Sequence, residues 1–206
     1  MTHTLHREGD VKSLANDYVI LITPAIGIND KGSGVKLRKA LQILLDAGLA
    51  NIGDVEHGSL LSGLDPQALA AHLTDGKRIR ASIADKGKLK TILEAFKKEE
   101  LGLSITVSGL IDNILRISKA VGLKPHTINM SLGVWGNLKR LPAKEVLEVT
   151  TMCGHHMISS ALVADMMARI KAGTLSPDKA TETIGKLCVC GIFNPHRCKD
   201  LLQQVI

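Results

Sequence analysis

Aromatic side chains are nearly missing from this chain: its 206 residues carry one Trp (Trp135), one Tyr (Tyr18) and two Phe (Phe96 and Phe193). The core must then be aliphatic, built from Leu, Ile, Val, Ala and Met, which suits α/β packing. The same scarcity removes the stacking platforms on which single-stranded nucleic acid binds. No apolar run approaches the roughly 18 residues of a membrane helix. The first residues also lack the charged and apolar blocks of a secretory signal. These absences point to a cytoplasmic globular protein with no membrane partner. Internal repeats, low-complexity tracts and an obvious linker are absent too.

The formal charge is +6. A nucleic-acid binder concentrates its bases on one face, whereas here they are dispersed among Lys36 to Lys39, Lys77 to Arg80, Lys86 to Lys90 and Lys97 to Lys98. Nucleic acid is therefore not the expected partner. A solvated basic surface or attraction to small anionic molecules accounts for the charge.

The hydrophobic pattern alternates between strand and helix periods. Residues 18–22 form a continuous apolar run, the mark of a buried strand. Val35, Leu37, Leu41, Leu44 and Leu45 then recur at helical spacing until Gly48. Residues 51–64 are Gly-rich and predict a loop, and Asp65-Pro66 opens a short helix as N-cap and N1. Strands are expected over 78–84, 103–107 and 128–134, with helices over 89–96 and 110–121. Such alternation predicts an α/β fold with a mixed or mostly parallel sheet and crossover helices. Residues 146–151 are expected as a last strand. Beyond it, Ala161, Leu162, Met166 and Ile170 mark a helix, and Ser176-Pro177 and Asn194-Pro195 open two more. The expected organisation is an α/β core over 1–150 with a helical Cys/His-rich segment over 151–206 packed on it.

Cysteine is absent until Cys153, after which Cys188, Cys190 and Cys198 follow, with His155, His156 and His196 close by. In a reducing compartment such a group points to metal ligation, catalysis or burial rather than a disulfide framework. Four thiols complete an all-thiolate site for an iron–sulfur cluster, most simply 4Fe-4S, or for one zinc. The metal-ligand candidates are Cys153, Cys188, Cys190, Cys198 and His196. Cys153 and Cys198 fall near predicted helix starts, whose positive dipole end favours thiolate. Cys188 and Cys190 face one centre only if the chain is extended through Val189. His155 and His156 are candidate proton carriers. The Cys-x-Cys spacing matches neither common zinc pairs nor ferredoxins, and buried core cysteine is the plain alternative.

Elsewhere, His3-x-x-His6 matters only if the N-terminus docks on the C-terminal region. The loop from Asn29 to Gly34 sits where an α/β protein holds phosphate but carries neither Gly-x-x-x-x-Gly-Lys-Ser/Thr nor Gly-x-Gly-x-x-Gly. Trp135 is expected to cover the end of the aliphatic core, and no Gly-x-Ser-x-Gly elbow is present. The functional expectation is a cytoplasmic iron–sulfur protein, either a redox carrier or an enzyme acting on a small anionic metabolite. A zinc enzyme or structural zinc protein, and a non-enzymatic regulatory or binding module, are the alternatives.

Overall fold

The computed structural model describes residues 4–205. Five strands form one sheet: β1 (Tyr18–Thr23), β2 (Asn51–Asp54), β3 (Gly58–Ser59), β4 (Ile79–Ile83) and β5 (Ser104–Ser108), in the order β3-β2-β4-β1-β5. Every pairing is antiparallel, which corrects the mixed or mostly parallel sheet expected above. The helices α2 (Ser33–Ala47) and α4 (Lys86–Glu99) each join two strands that run the same way, β1 to β2 and β4 to β5. In both cases an oppositely directed strand lies between the two they join. This is the split β-α-β arrangement, in which an alternating chain builds an antiparallel sheet.

The misreading has a physical cause. Continuous apolar strands usually mark parallel sheets, because helices cover both faces. Here an antiparallel sheet is covered on both faces. Tyr18, Ile20 and Ile22 of β1 and Ile79, Ala81 and Ile83 of β4 pack into a front core with Leu37, Leu41 and Leu44 of α2 and Leu89, Ile92 and Phe96 of α4. Val19 points the other way, into a second core built by the C-terminal helices. The remaining helices in chain order are α1 (Val11–Leu14), α3 (Pro66–His72), α5 (Ile111–Val121), α6 (Lys144–Thr150), α7 (Ser160–Lys171), α8 (Pro177–Gly185) and α9 (Pro195–Gln203). Among the described residues no helix is long and apolar enough to cross a membrane.

Local chemistry places most boundaries. Gly48 and Gly122 end α2 and α5 in the left-handed conformation, where glycine pays no steric penalty. Asp65, Ser176 and Asn194 each cap a helix whose first residue is proline. Three expectations fail. Residues 51–64, read as loop, contain β2 and β3. Residues 146–151, read as a strand, lie largely in α6, where Val146 and Val149 bury one face at helical spacing. Residues 128–134 form no strand and are exposed, and Trp135 is 81% exposed rather than covering the core.

The N-terminal segment is bound to the C-terminal unit by buried charge. Asp17 accepts hydrogen bonds from Arg7 and Arg197, the latter at 2.9 Å, and from the Asn194 amide at 3.2 Å. Burial alone raises the Asp17 carboxyl, but Arg7 and Arg197 outweigh it and hold its pKa below the usual value. A carboxyl depressed in the folded state contributes stability that is present above its unfolded pKa, near ~3.9, and is lost as pH falls below that. Asp17→Asn leaves two buried guanidiniums short of a counter-charge and is expected to cost about 3–5 kcal/mol. Urea melts at pH 7 and at about pH 2.5 test this: the variant should lose that much at pH 7, and the gap should shrink at the acid pH, below the unfolded pKa.

Candidate metal centre

The C-terminal helices leave two short loops facing each other, and these carry the thiols. Cys153 follows α6 by three residues, and its backbone N–H donates to Thr150 O at 3.1 Å, tightening the chain beyond the helix. Cys188, Val189 and Cys190 follow α8. Gly191, at φ +78°, then turns the chain toward Phe193, whose carbonyl accepts from buried Ser82 Oγ at 3.0 Å and Asn51 Nδ2 at 3.2 Å. This loop lies directly on the back of the sheet. A Cβ added to Gly53 of β2 would meet Val189 O at 2.4 Å, and one added to Gly191 would meet Gly53 N at 2.0 Å. Two glycines thus let two backbones touch.

All four cysteines are reduced, buried and members of one apolar core. Three of them interact directly. Cys188 Sγ lies 4.0 Å from Cys190 Sγ, and Cys190 Sγ lies 3.5 Å from His155 Nδ1. The Cys188 thiol also hydrogen-bonds Cys153. Backbone N–H groups of Met157 and His155 aim at Cys153 sulfur, and that of Ile192 at Cys190 sulfur. With the Cys188 thiol donating to both, these hydrogen bonds pull Cys153 and Cys190 down to about 6, against burial. Cys188, donating to two neighbours and buried, is pushed strongly up. Donors around sulfur in this way are the outer shell that supports metal-bound thiolate.

Cys198 stands apart from this trio in its contacts. It is fully buried in α9, and burial pushes its thiol up to about 12, with Thr181 and Arg197 offsetting only part. His196 is exposed and lines a surface pocket of about 240 Å³ with Asp85 and Lys88 rather than with the thiols. His155 and His156 are both exposed, but they differ in direction. His155 reaches Cys190, whereas His156, on left-handed backbone at φ 55°, stacks on His6 with ring centroids 5.4 Å apart. Burial first, then His156 and Arg7, lower the His6 pKa. The N-terminus thus does dock beside the cysteine loops, through His6; His3 lies outside the described residues.

Sequence reasoning missed Arg7, Asp17 and Gly53. Arg7 donates to the carbonyls of Met152 and Ile192, the residues flanking Cys153 and Gly191. Only Gly53, a glycine inside a strand-length segment, carried a readable signal of close approach.

A tetrahedral metal with sulfur at about 2.3 Å and imidazole nitrogen at about 2.0–2.1 Å sets S···S edges near ~3.8 Å and S···N edges near ~3.6 Å. The Cys188–Cys190 and Cys190–His155 separations lie close to those edges. The whole set is not closed to that extent: among the described residues, only Asp54, Glu56 and His57 bring three ligand atoms all within 4.8 Å of one another. That trio is the weaker centre. It is partly or fully exposed, and Asp54 Oδ1 is engaged by Glu56 N and His57 within its own turn. The three thiols are buried, and two of the set's separations already match such edges. No protein-family model, curated protein or solved structure matches the chain.

Gly191→Ala should force the loop off Gly53 and cost about 1–3 kcal/mol through overpacking and the left-handed backbone. The check is a lowered melting temperature together with faster reaction of Cys188 and Cys190 with a thiol reagent.

Proposed function

We propose that this chain is a metal–thiolate protein whose C-terminal unit holds a single ion, zinc by its donor set, through Cys153, Cys188, Cys190 and His155. The observation that carries this reading is the pair of separations, 4.0 Å between Cys188 and Cys190 and 3.5 Å between Cys190 and His155, which suit two edges of one tetrahedron. An iron–sulfur cube places each thiolate on a separate iron and asks for a much wider spacing. A Cys3His set is a common closed zinc site.

The three sulfurs are buried and the imidazole is exposed, so access to the ion is from the His155 side. His156 and His6 stand beside that face, stacked on each other. When bound, zinc would supply Lewis acidity, and displacement of His155 would open one position to a small ligand. The net charge of +6 favours an anionic one. A reducing compartment keeps the three thiols available, which supports the cytoplasm as the location.

Metal analysis of anaerobically purified protein tests the proposal. The expected result is about one equivalent of zinc and no visible absorption. Cys190→Ser should abolish retention, and Cys198→Ala should leave it unchanged. Loss of metal to a chelator should also lower the melting temperature, because binding free energy is folding free energy. A brown protein containing iron and sulfide would replace this reading with the iron–sulfur one.

A further inference from the structure

The chain between α5 and α6 is a strap of residues 122–143 whose only regular structure is one turn of 3-10 helix, Leu138–Arg140. Connections of this length inside a compact domain are uncommon and are usually functional. Residues 124–141 are all exposed, in a segment that is not polar. Ile128, Met130, Leu132 and Val134 alternate along it at the two-residue period of a strand, with exposures of 52%, 70%, 87% and 50%. Trp135 and Leu138 follow at 81% and 56%. Among the described residues no backbone–backbone hydrogen bond engages 124–136. The segment therefore has the side-chain pattern of a strand and no strand beside it.

The same chain offers a complementary vacancy. β5 is the last strand of the sheet, and no described strand pairs with its outer side. Natural sheets protect such edges with charge, proline or a bulge, but β5 reads Ser-Ile-Thr-Val-Ser and carries none of these. A cavity of about 560 Å³ runs along β5 and is bounded on its far side by the first half of the strap. The strap is thus held away from its own edge, and Leu132 to Leu138 continue beyond the cavity into solvent.

We propose that two copies of this chain exchange straps, residues 128–135 of each docking along the β5 edge of the other. A twofold exchange covers both edges and both straps with one kind of contact and closes on itself. Main-chain hydrogen bonds along the edge supply affinity, and the alternating side chains supply register. The area suffices: the six exposed side chains present on the order of 800 Å² per chain, which is what a stable interface buries on each partner. An anionic membrane is the competing occupant, since residues 113–144 hold six Lys/Arg and no Asp/Glu. The backbone of 124–136, with no main-chain partner and few side-chain ones, weighs against it, because a lipid phase cannot satisfy the remaining N–H and C=O groups.

Light scattering after size exclusion, on the full chain at about 100 μM, tests the exchange. The wild type should elute as a dimer. Leu132→Asp/Trp135→Asp removes the strap's anchors and Thr106→Lys charges the edge. Each should weaken the dimer roughly thirtyfold or more, with circular dichroism unchanged. Mixing the two variants should restore a dimer, because one chain keeps an intact edge and the other an intact strap. A monomeric wild type overturns the proposal. So does a dimer that survives Thr106→Lys, which would mean strap pairing with strap, and so does a monomer that sediments with anionic vesicles through Trp135.

Discussion

Asp17 carries the fold's central electrostatic obligation. It lies between two guanidiniums just before β1, and burying that charge is tolerable only because Arg7, Arg197 and Asn194 surround it. The partners come from the two ends of the chain, so satisfying one carboxylate brings the N-terminal segment, the sheet and the last helix together. Arg7 also donates from Nη2 to the carbonyls of Met152 and Ile192, which fixes the loops bearing Cys153 and Cys190. Removing such a charge costs more than the cluster's net contribution, because the groups left behind remain buried. The thiol centre depends on this charge cluster, although no metal candidate belongs to it.

Much of the fold was legible in local terms. The runs in β1, β4 and β5, the heptad-like spacing of α2 and the proline-started helices α3, α8 and α9 follow from periodicity and capping. What periodicity could not give was adjacency. A helix between two similarly directed strands looks the same in sequence whether or not another strand is inserted between them, so the antiparallel order escaped. β-Branched Val146, Val149, Thr150 and Thr151 suggested a strand, but burial at a three-residue step won over intrinsic preference. At 128–134 the alternation was real while the pairing was not, since pairing needs an edge that one chain's sequence does not locate.

The site was legible in part for similar reasons. Clustering in sequence brought Cys153, Cys188 and Cys190 into view, and the structure puts their thiols in contact. Cys198 shares the core with the other thiols without touching them, and His196 shares the neighbourhood in sequence only. On α9 one points into the core and the other to solvent, as residues two apart on a helix must diverge. His155, read as a proton carrier, is the imidazole that reaches the Cys190 thiol. Gly53 hinted at a close approach, but its partner Gly191 and the role of Arg7 were not legible, because they act across more than a hundred residues of chain.

The central claim is that three thiols and one imidazole surround a single ion. X-ray absorption at the metal edge of anaerobically purified protein addresses it directly. The account predicts about three sulfur scatterers near ~2.3 Å and one nitrogen near ~2.0–2.1 Å, with no metal neighbour. A short metal–metal distance, or a shell of oxygen alone, would contradict it.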